Sequence, residues 1–200
     1  MDALSQASIS ETPLKITVFY GSMRSNRLGI RAVKYMIEKL QKRGHEVTLV
    51  DAMQENLPLL DQRYSDYPEG KAPQQLERLR ELYQKSEGFL VVAGEYNSTL
   101  QPGLKNLLDY FFKEYFHRPS AIVSYSIGSF GGVRATSDLR VTLGVMGMPA
   151  IPSVFVVPKI DAVFDEQAKL LDSAYGARAD RFLNEFEWYA GALKKAREQG

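Results

Sequence analysis

The chain has 200 residues, 44% of them apolar, and balances 25 Lys and Arg against 24 Asp and Glu for a formal net charge of +1. That size and apolar content build one domain with a sizeable core, and the near-zero charge excludes recruitment of nucleic acid or an anionic membrane by a long-range field. Cysteine is absent, which removes disulfides, thiolate metal sites and cysteine nucleophiles, leaves the redox compartment open, and makes any redox chemistry depend on a borrowed cofactor.

Residues 1–13 are polar, lack the apolar centre of a signal peptide, and hold Asp2 and Glu11 but no arginine, unlike a transit peptide. They read as a flexible tail ahead of a single domain over residues 14–200, with the cytoplasm as the default location. No run approaches the roughly 18 to 20 continuous apolar residues of a membrane-spanning helix, so no membrane partner is expected.

Lys15 to Tyr20, β-branched and aromatic between Pro13 and Gly21, reads as a buried parallel strand. Ile30, Val33, Ile37 and Leu40 recur at helical spacing, and Arg43-Gly44 closes that helix. Glu46 to Asp51 is the second strand. The segment from Ala52 to Ala72, with Pro58 and Pro68, reads as a long connection over the sheet edge that forms a rim of the site. Gln74 to Lys85 carries Leu76, Leu79 and Leu82 on one face, Phe89 to Ala93 is the third strand, and Leu104, Leu107, Leu108 and Phe111 line the next helix. Strand four runs from Pro119 to Ile127, a helix follows from about Val133 to Gly147, strand five is Ile151 to Val157, and Phe182, Phe186, Tyr189 and Leu193 mark a terminal helix. Strands alternating with helices imply right-handed crossovers and a doubly wound parallel sheet of five strands, in the order 2-1-3-4-5.

Chemistry concentrates in three turns at the carboxyl ends of strands, where such folds hold phosphorylated ligands. The first, Gly21-Ser22-Met23-Arg24-Ser25-Asn26-Arg27, lacks both the dinucleotide fingerprint and the lysine-bearing nucleotide loop. It suits one terminal phosphate: amides at a helix start, the hydroxyls of Ser22 and Ser25, and guanidinium forks from Arg24 and Arg27. The same residues also read as a serine cap with two solvent-facing arginines. The second turn sets Glu95, Tyr96 and Asn97 where backbone groups meet the polar edge of a flat heterocycle and Tyr96 packs on its plane. Its plain reading is a strand-to-helix loop with Asn97 or Ser98 as the cap. The third turn, around Ser126 and Gly128 with Gly131 and Gly132, permits close backbone approach to a ligand or close packing of strand four on its helix. Together the first two turns point to a flavin site.

His45 and His117 have no partner at metal-ligand spacing and read as structural or surface residues, so no metal is expected. Tyr110, Phe111, Phe112, Tyr115 and Phe116 are too many for one helix face, which divides them between the core and a subunit interface.

With those motifs in place, residues from about Lys15 to Val157 resemble the NADPH-dependent FMN reductase family, which includes chromate, azo-dye and quinone reductases. The resemblance rests on Gly21 to Arg27, on Glu95-Tyr96-Asn97 followed by Pro102-Gly103-Leu104-Lys105-Asn106 and Asp109, and on Ser126 to Arg134. Two departures stand out: Gly94 replaces the family's usual proline, and one extra residue separates Asn97 from Pro102. The resemblance implies a flavodoxin-like three-layer α/β sandwich and a homodimer or homotetramer. It also implies that Ser22, Arg24 and Arg27 hold the FMN phosphate, that Glu95, Tyr96 and Asn97 meet the isoalloxazine mainly through backbone, and that Ser126 with Gly128 lies on the ring's other side. Lys105, Asn106 and Asp109 would orient their helix or a subunit contact; a solvated salt pair is the alternative.

The expected activity is therefore ping-pong oxidoreduction. NADPH or NADH reduces bound FMN by hydride transfer, and a small-molecule acceptor (quinone, free flavin, azo dye or metal oxyanion) then takes the electrons. No side chain is assigned an acid or base role. The rivals are a non-enzymatic flavodoxin-type electron carrier, which would be strongly acidic, and an FMN-binding redox sensor. A hydrolase lacks its nucleophile, lysine motif and metal carboxylates.

Overall fold

The computed structural model describes residues 12–199. Of the expected tail, residues 1–11 lie outside the described residues. The elements run β1 (Lys15–Tyr20), α1 (Ile30–Lys42), β2 (Glu46–Asp51), α2 (Ala52–Glu55), α3 (Gln74–Lys85), β3 (Gly88–Tyr96), β4 (Thr99–Leu100), α4 (Pro102–Asp109), β5 (Ser120–Tyr125), α5 (Val133–Val145), β6 (Ala150–Val157), α6 (Ile160–Val163) and α7 (Ala174–Gln199).

The parallel strands lie in the order β2-β1-β3-β5-β6, which is the expected path. The sheet has a sixth member that the sequence reading did not contain: β4 pairs antiparallel with the end of β3, Glu95 opposite Leu100 and Tyr96 opposite Thr99. The third strand therefore runs on past Ala93, and the expected five-stranded, wholly parallel sheet is corrected to six strands. The reason is local. Asn97 and Ser98 take positive φ values of 50° and 70°, a two-residue turn whose twist suits a hairpin.

Helices cover both faces, so the parallel strands carry apolar residues on both sides. Ile16, Val18, Tyr20, Leu90, Val92 and Val123 pack with α1 and α7. Phe19, Phe89, Val91 and Ile122 face α3, α4 and α5. Full burial of one such side chain is worth about 1.5–3 kcal/mol.

Of the aromatic cluster, Tyr110, Phe111 and Tyr115 are core residues, with Tyr115 edge-on to Phe89 at 5.4 Å and Tyr83 edge-on to Phe111 at 4.9 Å. Phe112 stays exposed. The connection after β2 is tied to α4: Asn106 Oδ1 accepts from the Leu60 amide at 2.9 Å, and its Nδ2 donates to Pro58 O at 2.8 Å. Asn106 thus holds that connection against α4, while Lys105 pairs with Asp109 on the exposed side.

At the amino ends of the strands, His45 Nδ1 accepts from the Leu14 amide at 3.2 Å, so its Nε2 carries the proton toward Glu187 Oε1 at 3.0 Å. Arg43 Nη1 donates to both oxygens of Glu187, at 3.0 and 2.9 Å, and its Nη2 to Asp180 Oδ1 at 2.8 Å. This network fastens α7 to the sheet. His117 lies exposed on the surface.

Candidate functional site

β1, β3 and β5 are neighbours in the sheet, so their three following turns meet along one edge. The first turn is wedged against α4: a Cβ on Gly21 would lie 2.1 Å from Leu104 Cβ, and one on Gly103 would lie 2.6 Å from Gly21 O. Only glycine allows that approach. From Met23 to Arg27 the amides make no hydrogen bond within the described residues. Arg24 is exposed and also has no partner among them.

Arg27 and Ser22 are turned inward. Arg27 Nη1 donates to Asp51 Oδ1 at 2.5 Å and to Ser22 O at 3.2 Å, and the guanidinium lies 5.2 Å from the Tyr20 ring centre. The Asp51 carboxylate raises the Arg27 guanidinium further above its ordinary value. Nε and Nη2 of Arg27 have no hydrogen bond within the described residues. The Ser22 side is buried, with its hydroxyl close to the phenols of Tyr20 and Tyr125.

In the second turn, the Gly94 amide donates to Gln101 Oε1 at 2.9 Å, joining the two ends of the hairpin that holds Glu95, Tyr96 and Asn97. The two departures from the family pattern are thus connected, since a proline at 94 has no N–H to give. Asn97 is at the exposed tip. Tyr96 is half-buried, and its hydroxyl is shut from solvent with no partner among the described residues. Glu95 reaches over to α5: Oε2 accepts from the Arg134 amide at 3.1 Å, and Oε1 stands 3.7 Å from the Arg134 guanidinium.

The glycines of the third turn divide in role. Gly131 and Gly132 have φ of 62° and 76°, and side chains there would strike Val156 at 2.5 Å and Tyr125 O at 2.7 Å, so packing explains both. Gly128 is open, its nearest neighbour being Ser126 Oγ at 3.7 Å from a Cβ. Ser126 Oγ donates to Gly128 O at 2.9 Å, and the Lys159 amide donates to the same carbonyl at 3.2 Å. Ile127 and Phe130 project apolar surface beside them, 63% and 65% exposed, with the Arg134 guanidinium 5.1 Å from the Phe130 ring centre.

The turns fit FMN on two counts. Within the described residues, a run of unpaired loop amides beside an unpaired arginine suits a phosphate, and the buried, unpartnered Tyr96 hydroxyl adds a polar group beside the hairpin backbone. An apolar cavity of about 220 Å³ lies on the outer side of the first turn, between Met23, Leu57, Leu59 and Pro102, and none of the eight expected contact residues lines it. Sequence reasoning missed Asp51, Gln101, Tyr125 and Arg134, which contact the turns from other segments. Gln101, within the lengthened stretch before Pro102, and Arg134, at the end of the third motif, left a trace in the pattern, but neither contact could be read from it.

The sequence profile of NADPH-dependent FMN reductases matches residues 14–162. The chain belongs to that family. It is thus an NAD(P)H-dependent oxidoreductase that uses FMN. Among its relatives is the NAD(P)H-dependent FMN reductase ntnL of Nectria sp, 29% identical over 156 residues that make up 72% of this chain and 75% of the other. The NADPH azoreductase of Bacillus sp. (strain OY1-2) is 25% identical over 93% of this chain and 98% of its own. Among solved structures, the flavoenzyme NAD(P)H:(acceptor) oxidoreductase FerB of Paracoccus denitrificans superposes with a TM-score of 0.73 at 19% identity, covering 90% of this chain and 98% of that one. That likeness concerns the fold.

Proposed function

We propose that the protein is a ping-pong reductase of small aromatic acceptors, with reduced nicotinamide and acceptor using one cleft in turn. The observation that carries this is the run of amides from Met23 to Arg27, unpaired within the described residues, at the end of β1, beside the turns that follow the neighbouring strands β3 and β5. In this reading Arg24, Ser25, the loop amides and the free nitrogens of Arg27 take the FMN phosphate, while Ser22 steadies the turn from beneath. The backbone from Glu95 to Asn97 meets the ring edge on one side, and Ser126 with Gly128 borders it on the other.

Bound FMN would supply the two-electron chemistry, accepting a hydride equivalent from the nicotinamide and yielding electrons to the acceptor. The chain's own part is position and electrostatics. Fixed amide dipoles in a sheltered site stabilise developing negative charge, and Ile127 with Phe130 offers apolar surface to a flat acceptor. That surface supports quinones and azo compounds over metal oxyanions.

The test is spectroscopic and then kinetic. The purified protein should show flavin absorbance that NADPH bleaches without oxygen and menadione restores, and steady-state NADPH oxidation should give parallel double-reciprocal lines. Bound FMN without turnover would favour the redox-sensor reading. The near-neutral charge argues against an acidic electron carrier. We further propose a homodimer or homotetramer, for which the exposed Phe112 gives support and light scattering the check.

A further inference from the structure

Tyr125, at the end of β5, touches every turn of the site. Its phenol lies beside the buried Ser22 of the first turn, a Cβ on Gly29 at the start of α1 would stand 2.1 Å from Cζ, and a Cβ on Gly94 in the second turn would stand 3.0 Å from the same atom. Its hydroxyl accepts from Gln101 Nε2 at 3.0 Å and lies 3.5 Å from the Tyr20 hydroxyl. Its own carbonyl lies against Gly132 in the third turn. Gln101 is 1% exposed and uses both ends of its amide: Oε1 holds the Gly94 amide and Nε2 holds Tyr125.

Two buried polar side chains could simply satisfy each other. These two do more, because Gly94 and Gln101 are the feet of the hairpin, and the Gln101 amide fixes one foot to the other and both to β5. A change in this link moves the backbone from Glu95 to Asn97 as a unit.

We propose that Tyr125 and Gln101 are positioning residues that set the height of the hairpin against the flavin ring, and through it the preference of the site for reduced over oxidised FMN. This deepens the FMN reading above and rests on it. Dipoles stabilise charge on a reduced ring steeply with distance, so a displaced hairpin alters the reduced state more than the oxidised one.

The test uses the full chain as wild type, Tyr125→Phe, Gln101→Met, the double variant and Gln101→Glu. It reads FMN and riboflavin affinity by fluorescence, the potential of bound FMN, and thermal melting. Tyr125→Phe and Gln101→Met should each weaken FMN and riboflavin by the same factor, about ten-fold, since the phosphate turn keeps its contacts. Each should also lower the ratio of reduced to oxidised affinity about ten-fold, which a two-electron couple reads as about 30 mV. The double variant should be no worse than the poorer single one, because both cut the same link. Gln101→Glu can still accept from the Gly94 amide and the Tyr125 hydroxyl. It should restore affinity for oxidised FMN while its added charge lowers the potential.

A wild-type potential in Tyr125→Phe and Gln101→Met, with or without a lower melting temperature, overturns the proposal, as do additive losses in the double variant. If Gln101→Met does not fold, a wild-type potential in Gln101→Glu has the same force. A wild type that takes up no flavin removes the FMN reading, and this one with it.

Discussion

Glu95 of the hairpin caps α5, its carboxylate accepting from the Arg134 amide at 3.1 Å. Gly132, at the helix's own cap position, offers no side chain to do so. The carboxylate is thus engaged with a helix start, where negative charge is favoured.

Glu95→Ala should destabilise the fold by about 1 kcal/mol, the usual loss for a helix cap, or ~2–4 °C in melting temperature for a chain of this size. Glu95→Gln retains an acceptor and should sit between the two. If NADPH oxidation by Glu95→Gln stays within ten-fold of wild type, no acid-base role is present, because a catalytic proton donor would cost roughly 100-fold or more.

Arg24→Ala should weaken FMN binding roughly 10- to 100-fold, as expected for loss of a charge-assisted contact. Riboflavin, lacking the phosphate, should bind the variant as it binds wild type. Equal losses for both ligands in fluorescence titrations would place Arg24 elsewhere than at the phosphate.

Glu187→Ala leaves the His45 Nε2–H without its acceptor in the interior and takes one carboxylate from Arg43. Breaking a buried pair of this kind costs about 3–5 kcal/mol. The damage should appear in urea denaturation and not in FMN affinity, since the network lies at the opposite ends of the strands from the three turns.

Alkaline pH should unfold the protein cooperatively. Burial raises the phenols of Tyr20, Tyr83, Tyr115 and Tyr125, and burial followed by Asp180 and Glu38 pushes Tyr35 up to about 12. For these groups the folded value exceeds the unfolded one, so their contribution is complete below the unfolded phenol value of about 10 and is lost as pH climbs toward the folded values. Tyrosinate absorbance should rise with loss of circular dichroism in one transition above pH ~10. A graded rise in a protein that stays folded would contradict this.

The sheet path was legible because the central strands are short apolar runs: Ile16 to Tyr20 is buried on both faces, leaving no alternation to misread. β4 was not legible. It has two residues, and the Asn97-Ser98 turn that makes it lacks the glycine that usually announces a hairpin, while Pro102-Gly103 marks a helix start close by. α2 and α6, at four residues each, are too short to show a period. The three turns stand out by local pattern, but the residues that contact them from other segments do not follow from it. Asp51 lies 24 positions from Arg27, and Arg134 lies 39 from Glu95. Such pairs come from strand order, which places remote loops side by side.

Gly128 differs from its neighbours in needing no special backbone angle and crowding nothing, since a methyl there would meet only Ser126 Oγ, in ordinary contact at 3.7 Å. In the proposed site, Gly128 is therefore a position where a side chain can be started without disturbing the scaffold. Alanine, valine or phenylalanine at residue 128 would form a graded series for narrowing the entrance, and a route to re-tailoring which oxidants this reductase admits.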